Sequence, residues 1–128
     1  MFKILIVDDE PAIRQLFQYV FEDAGYAVSL AANGREALAS VSADTPDFIV
    51  LDVAMPEMSG KEFALELKKR SLLDARLGAI RFVVMTGENF MEAGLNAAFA
   101  ALPGFSGYFP KMTPPEKVLE RAEELLET

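Results

Sequence analysis

The 128-residue chain contains no cysteine and no histidine. Without cysteine it forms neither disulfides nor thiolate metal sites, and nothing in it requires an oxidising compartment. Without histidine, imidazole acid–base catalysis, histidine-rich metal sites and a role as phosphohistidine carrier are excluded. Positive charge is scarce as well: 12 basic residues face 20 acidic ones, for a net charge of −8. Such a chain repels phosphate backbones, so direct nucleic-acid binding is not expected. Long apolar runs are also missing. The N-terminal run 4–7 is too short for a signal peptide, and no segment approaches a membrane span. A cytoplasmic location is the default expectation. Chemistry is left to carboxylates, hydroxyls and lysine.

What is present describes one globular domain, 1–128, with 52% hydrophobic and 25% charged residues and enough length for a single core. Phe48-Ile49-Val50-Leu51-Asp52 organises the chain. Four large apolar residues in a row read as a strand buried on both faces, and Pro56 prevents its ladder from continuing. Asp52 closes that strand, where a charge is costly unless something uses it. Lys3-Ile4-Leu5-Ile6-Val7 is a second such run and ends in Asp8-Asp9-Glu10. Pro11 opens a first helix with Ile13, Leu16, Phe17, Val20 and Phe21 on its apolar stripe, and Gly25 stops it. A short strand over 26–30 follows. Asn33-Gly34-Arg35-Glu36 and Ser59-Gly60-Lys61-Glu62 are capping signals for the second and third helices. A strand over 80–85 ends in Thr86-Gly87, a fourth helix spans 89–101, and a fifth, edge strand spans 106–110. Thr113-Pro114-Pro115-Glu116 reads as a capping box for the last helix, with Val118, Leu119, Ala122, Leu125 and Leu126 on its buried side. The stretch 71–78 either extends the third helix or loops.

Strands alternating with helices argue for an α/β fold with a parallel sheet covered on both faces. Ligands in such sheets bind beyond the carboxyl ends of the strands, where strand order reverses. Asp8, Asp9, Asp52, Thr86 and Lys111 each lie at or just past such an end, so they converge on one rim. Three carboxylates at close range raise one another's pKa values or demand a cation. With oxygen ligands alone the fitting ion is hard: Mg²⁺, Mn²⁺ or Ca²⁺. A carboxylate nucleophile, a divalent cation, a lysine and a hydroxyl together suit a phosphoryl group. Singly, each residue has a plainer reading. The acidic triplet could cap the first helix, Lys111 could be a solvated side chain, Thr86 a turn residue and Tyr108 edge packing. Their coincidence on one rim favours the site.

From end to end, the chain resembles the receiver domains of two-component response regulators. Asp8-Asp9 is similar to the family's acidic pair, Asp52 to its phospho-acceptor, and Met55-Pro56-Glu57-Met58-Ser59-Gly60 to its Met-Pro-x-Met-x-Gly loop. Thr86 matches the switch hydroxyl, Tyr108 the switch aromatic and Lys111 the lysine. The resemblance implies a flavodoxin-like (βα)5 fold with sheet order 2-1-3-4-5. It implies transfer of a phosphoryl group from a partner histidine kinase, or a histidine phosphotransfer protein, to Asp52. Mg²⁺ (or Mn²⁺) is then held by Asp9, Asp52 and the Ala54 backbone carbonyl, with Asp8 acting through water. Phosphorylation and slow autodephosphorylation are the chain's own chemistry, and Thr86 and Tyr108 remodel the face of the fourth helix, fifth strand and last helix for a downstream protein. Because the last helix exhausts the chain, a stand-alone, chemotaxis-type regulator is expected.

The pattern departs from the family at Met112, which stands where a cis-bonded proline is usual. A strained cis Lys111–Met112 bond or a rerouted loop is expected. The intervals from Asp52 to Thr86 and from Thr86 to Lys111 are a few residues longer than is usual in the family. Ala54 offers an attacking water no side-chain hydrogen bond, whereas Glu88 could. Phe105, Phe109, Phe90 and Met91 are either core or an apolar patch for a partner. A pseudo-receiver, binding partners without phosphorylation, is the alternative. An aspartyl-phosphate phosphatase is discounted because Asp8-Asp9 is not an Asp-x-Asp pair.

Overall fold

In the computed structural model, the described residues are 1–55, 57–87 and 95–127, without the side chains of Leu95, Asn96 and Ala98. Five strands, β1 (Lys3–Val7), β2 (Ala27–Ala31), β3 (Phe48–Asp52), β4 (Arg81–Thr86) and β5 (Phe105–Pro110), alternate with helices. The helices are α1 (Pro11–Asp23), α2 (Gly34–Ala43), α3 (Gly60–Ser71), α4 (Ala75–Gly78), α5 (Leu95–Ala100) and α6 (Pro115–Leu126). All strand pairs are parallel, in the order β2-β1-β3-β4-β5. Strand order therefore reverses between β1 and β3, which places a crevice at their carboxyl ends.

The apolar runs have two sides to fill, and they fill both. Leu5, Val7, Ile49, Leu51, Phe82 and Val84 pack under α2, α3, α4 and α5. Ile4, Ile6, Phe48, Val50, Val83 and Met85 pack under α1 and α6, with Phe17, Phe21, Val118 and Ala122. Every residue of β3 is buried, Asp52 included. On α1 the stripe is narrower than its spacing suggests. Phe17 and Phe21 are buried, while Leu16 lies half exposed at the stripe's edge.

Several boundaries differ from the sequence reading. The interval 71–78 is neither a continuation of α3 nor a plain loop; it holds the single helical turn α4, which accounts for the extra length before Thr86. Tyr26 stays outside β2 because its N–H closes the α1 turn onto the Phe21 carbonyl. The capping box proposed at Thr113 does not form. Pro114 is the N-cap, with φ −61° and ψ 142° and no side-chain cap bond. A residue preceding proline is pushed out of the helical region, and Pro115 does this to Pro114. The Ser59 box does form, reciprocally with Glu62. Of the fourth predicted helix only Leu95–Ala100 is described; Glu88, Phe90 and Met91 lie outside the described residues.

Candidate functional site

The pleat decides which side chains meet. Side chains alternate along a strand, so Ile4 and Ile6 carry Asp8 onto the face covered by α1 and α6. Phe48 and Val50 carry Asp52 onto the same face. Lys111 reaches that face because β5 is irregular. Phe105 packs toward α2–α5, and Phe109, four residues on, packs toward α1 and α6. Strict alternation would leave both on one side. The register shift between Phe82 and Val84 inserts one residue into β5, and Gly107, at φ +123°, supplies the left-handed backbone this needs. Tyr108 consequently pairs with Val84, and Pro110 with Thr86. Tyr108 and Thr86 thus share the α2–α5 face, while Lys111 shares the other with Asp8 and Asp52.

Lys111 Nζ lies 2.7 Å from Asp52 Oδ2. This ion pair is the contact that the buried Oδ2 makes among the described residues. Oδ1 accepts a long bond of 3.3 Å from the Ala54 N–H. Asp52 is 1% exposed, and burial, reinforced by the nearby Asp8 charge, pushes its carboxyl up to about 6 against the pull of Lys111. Burial likewise raises Asp8, opposed by the Glu10 N–H, which donates to Asp8 Oδ1 at 2.9 Å, and by Lys111. Burial works against the Lys111 ammonium, but Asp52, Asp8 and Glu10 outweigh it and hold its pKa above the ordinary lysine value. A buried anion, an adjacent anion and one cation leave the pocket with surplus negative charge.

The loops are pinned. Arg14 Nη1 donates to the Asp8 carbonyl at 2.7 Å, anchoring the acidic turn to α1. Gly60 N–H bonds the Val53 carbonyl at 2.9 Å, and a Cβ on Gly60 would stand 2.4 Å from the Asp52 carbonyl oxygen. Only glycine lets α3 begin directly against the acceptor strand. Glu57, in the same loop, holds φ +64° and accepts from Asn33 Nδ2 at 3.2 Å, tying the loop to the start of α2.

Asp8, Asp9 and Glu10 bring carboxylate oxygens within 4.8 Å of one another; Asp8 is buried, the other two exposed. Glu10 was not a candidate ligand in the sequence reading, which assigned the triplet's plainer role to capping. It occupies the N-cap position of α1 but makes no side-chain cap bond, so its carboxylate is not consumed there. The donor set is all oxygen and strongly anionic, which fits a hard divalent cation. Thr86 is buried and Tyr108 about half exposed.

The Lys111–Met112 bond is trans, so of the two expectations the rerouted loop holds. Rerouting does not draw Lys111 away from Asp52. Met112 instead points outward, 91% exposed, at the rim of a cavity of about 220 Å³ walled by Ile13, Phe17, Val50 and Met85.

Comparison with known proteins agrees with this geometry. Residues 4–123 match the family described as Response regulator receiver domain. The chain is 35% identical over 127 residues to response regulator MprA of Mycolicibacterium vanbaalenii, covering 97% of itself and 50% of that protein. It thus spans about half the length of MprA. Chemotaxis response regulator CheY4 of Vibrio cholerae superposes with a TM-score of 0.83 at 34% identity, covering 98% of this chain and 99% of that one. TrrA of Thermotoga maritima, solved in complex with Mg²⁺-BeF, superposes at 0.78 with 31% identity, over 98% and 100%. The chain belongs to the response regulator receiver family of two-component signal transduction. Receiver domains bind Mg²⁺ and act with histidine kinases.

Proposed function

We propose that Asp52 accepts a phosphoryl group from the phosphohistidine of a partner kinase or phosphotransfer protein. The observation that carries this reading is the buried Asp52 carboxylate with Lys111 Nζ 2.7 Å away and the Asp8-Asp9-Glu10 oxygens beside it. At neutral pH a carboxyl with a pKa of about 6 is mostly ionised and therefore nucleophilic. An Asp52 oxygen forms the new O–P bond as the N–P bond of the donor breaks, its electron pair returning to the imidazole nitrogen. Lys111, already at hydrogen-bond range, follows the transferred oxygens and neutralises them. Asp8, Asp9, Asp52 and the Ala54 carbonyl, joined by Glu10, are the groups that would hold Mg²⁺ or Mn²⁺. When bound, the cation screens the phosphoryl oxygens against these carboxylates.

Thr86 then turns its hydroxyl toward the phosphoryl group, and Tyr108, on the same sheet face, takes up the space it leaves. This rearranges the surface of α5, β5 and α6 for a downstream protein. The same reading puts the chain in the cytoplasm; among the described residues no helix is long and apolar enough to cross a membrane. Incubation with acetyl phosphate and Mg²⁺, followed by intact mass measurement, tests the reading. One added phosphoryl group is expected in the wild type and none in Asp52→Ala. An unchanged wild type under every donor would point to phosphorylation-independent binding.

A further inference from the structure

The side of the molecule formed by α3 and α4 does not share the chain's acidity. Five basic and three acidic residues fall within 60–78, a local charge of +2 in a chain of −8. The three acids are already engaged. Glu62 closes the Ser59 capping box, Glu66 pairs with Arg70 at 3.2 Å, and Asp74 pairs with Arg76 at 2.8 Å. Among the described residues no ion pair engages Lys61, Lys68 or Lys69, and all three are exposed.

The same surface carries apolar groups that the fold does not use. α3 buries Phe63, Ala64 and Leu67, which turns Leu65 outward at 50% exposure. Leu72 and Leu73, in the turn that follows, are 81% and 95% exposed. Leu65 and Leu72 are seven residues apart, roughly 10 Å along a helix. Lys61, Lys68 and Lys69 stand four before, three after and four after Leu65, so they border the same stripe. An apolar seam with a seven-residue repeat edged by lysines is the pattern with which one helix recognises another of opposite charge.

We propose that this face docks an acidic amphipathic helix of another protein, whose leucine-type residues meet Leu65, Leu72 and Leu73 and whose carboxylates meet Lys61, Lys68 and Lys69. Charge complementarity selects this occupant over an anionic membrane. A bilayer presents negative charge over its whole plane, to a protein whose remaining residues sum to −10. A single helix confines its charge to the patch, within the Debye length of about 8 Å at physiological salt. None of these six side chains lines the cavity beside Asp8 and Lys111.

A fluorescein-labelled 21-residue peptide with leucine at heptad positions a and d and glutamate at e and g serves as probe, with anisotropy as readout. The wild-type chain is expected to bind it, and to bind about tenfold more weakly at 300 mM than at 50 mM salt. Leu72→Ser/Leu73→Ser and Lys61→Glu/Lys68→Glu/Lys69→Glu are each expected to weaken binding at least tenfold while leaving acetyl phosphate labelling unchanged. A peptide of the same composition with the leucines scattered around the helix should not bind. Absence of wild-type binding, or binding that both multiple variants retain, overturns the proposal. So does tighter sedimentation with vesicles of 30% phosphatidylserine than binding to the peptide, which would reassign the face to membrane.

Discussion

Replacing Asp52 by asparagine removes a buried charge while preserving its shape, and the stability consequence follows from the site's geometry. Burial holds the Asp52 carboxyl at about 6 in the folded chain, against an ordinary value of 3.8. Between those two values the folded protein keeps a proton that the unfolded chain has lost. Stability must then fall as pH rises through this window, and the loss is complete near neutrality. A carboxyl displaced from 3.8 to about 6 corresponds to about 3 kcal/mol. Lys111 does not alter the sign. Its pKa is raised, so its own contribution is fully present below 10.5 and constant across the window. Asp52→Asn is therefore expected to match the wild type near pH 4 and to exceed it by about 3 kcal/mol at pH 8, roughly 10 °C in Tm. Urea melts followed by circular dichroism in EDTA, at several pH values for both proteins, give the difference directly, because titrating groups that do not interact with Asp52 cancel, while Asp8 and Lys111, which do, are part of the difference. Parallel stability curves from pH 4 to pH 8 would refute the reasoning.

Other expectations rest on single contacts. Gly60→Ala forces a methyl group against the Asp52 carbonyl and is expected to cost about 3 kcal/mol, read as a lowered urea midpoint. Glu10→Gln should weaken Mg²⁺ binding about tenfold, measured by titrating backbone amide NMR shifts; unchanged affinity would return Glu10 to a purely structural role. Ala54→Asn gives an attacking water a side-chain partner, and the acyl phosphate should be lost about tenfold faster, followed by intact mass over time. Equal lifetimes would show that position 54 does not set the rate.

How far the sequence carried the reading depends on which physics set each feature. The buried strands were legible because a strand covered on both faces must be apolar at every position, as 48–51 is. The rim where Asp8, Asp52 and Lys111 meet followed from alternation of strands and helices, whereas the strand order came through the family resemblance. The Ser59 box was legible because both halves of a reciprocal hydrogen-bond pair are written locally. What stayed hidden was set by competition between neighbours. Pro115 moved the start of α6 by constraining Pro114, although Thr113 had the right side chain for a cap. The bulge in β5 was equally hidden, yet it sends Tyr108 to the face of Thr86 and Lys111 to the face of Asp52. Gly107 inside a strand was the available signal. Glu10 was missed as a ligand because an acidic residue before a helix has a sufficient local explanation, which the missing cap bond removes. The α3 lysines and leucines looked unremarkable in sequence, since only the fold turns them to one side.

Localising the phosphoryl group tests the central claim most directly. The protein is treated with acetyl phosphate and Mg²⁺, reduced with borohydride, which converts an aspartyl phosphate to homoserine, and sequenced by tandem mass spectrometry. Homoserine at position 52 and nowhere else is the predicted result. Reduction products at Asp8, Asp9 or Glu10 instead, or at no carboxylate, would contradict it.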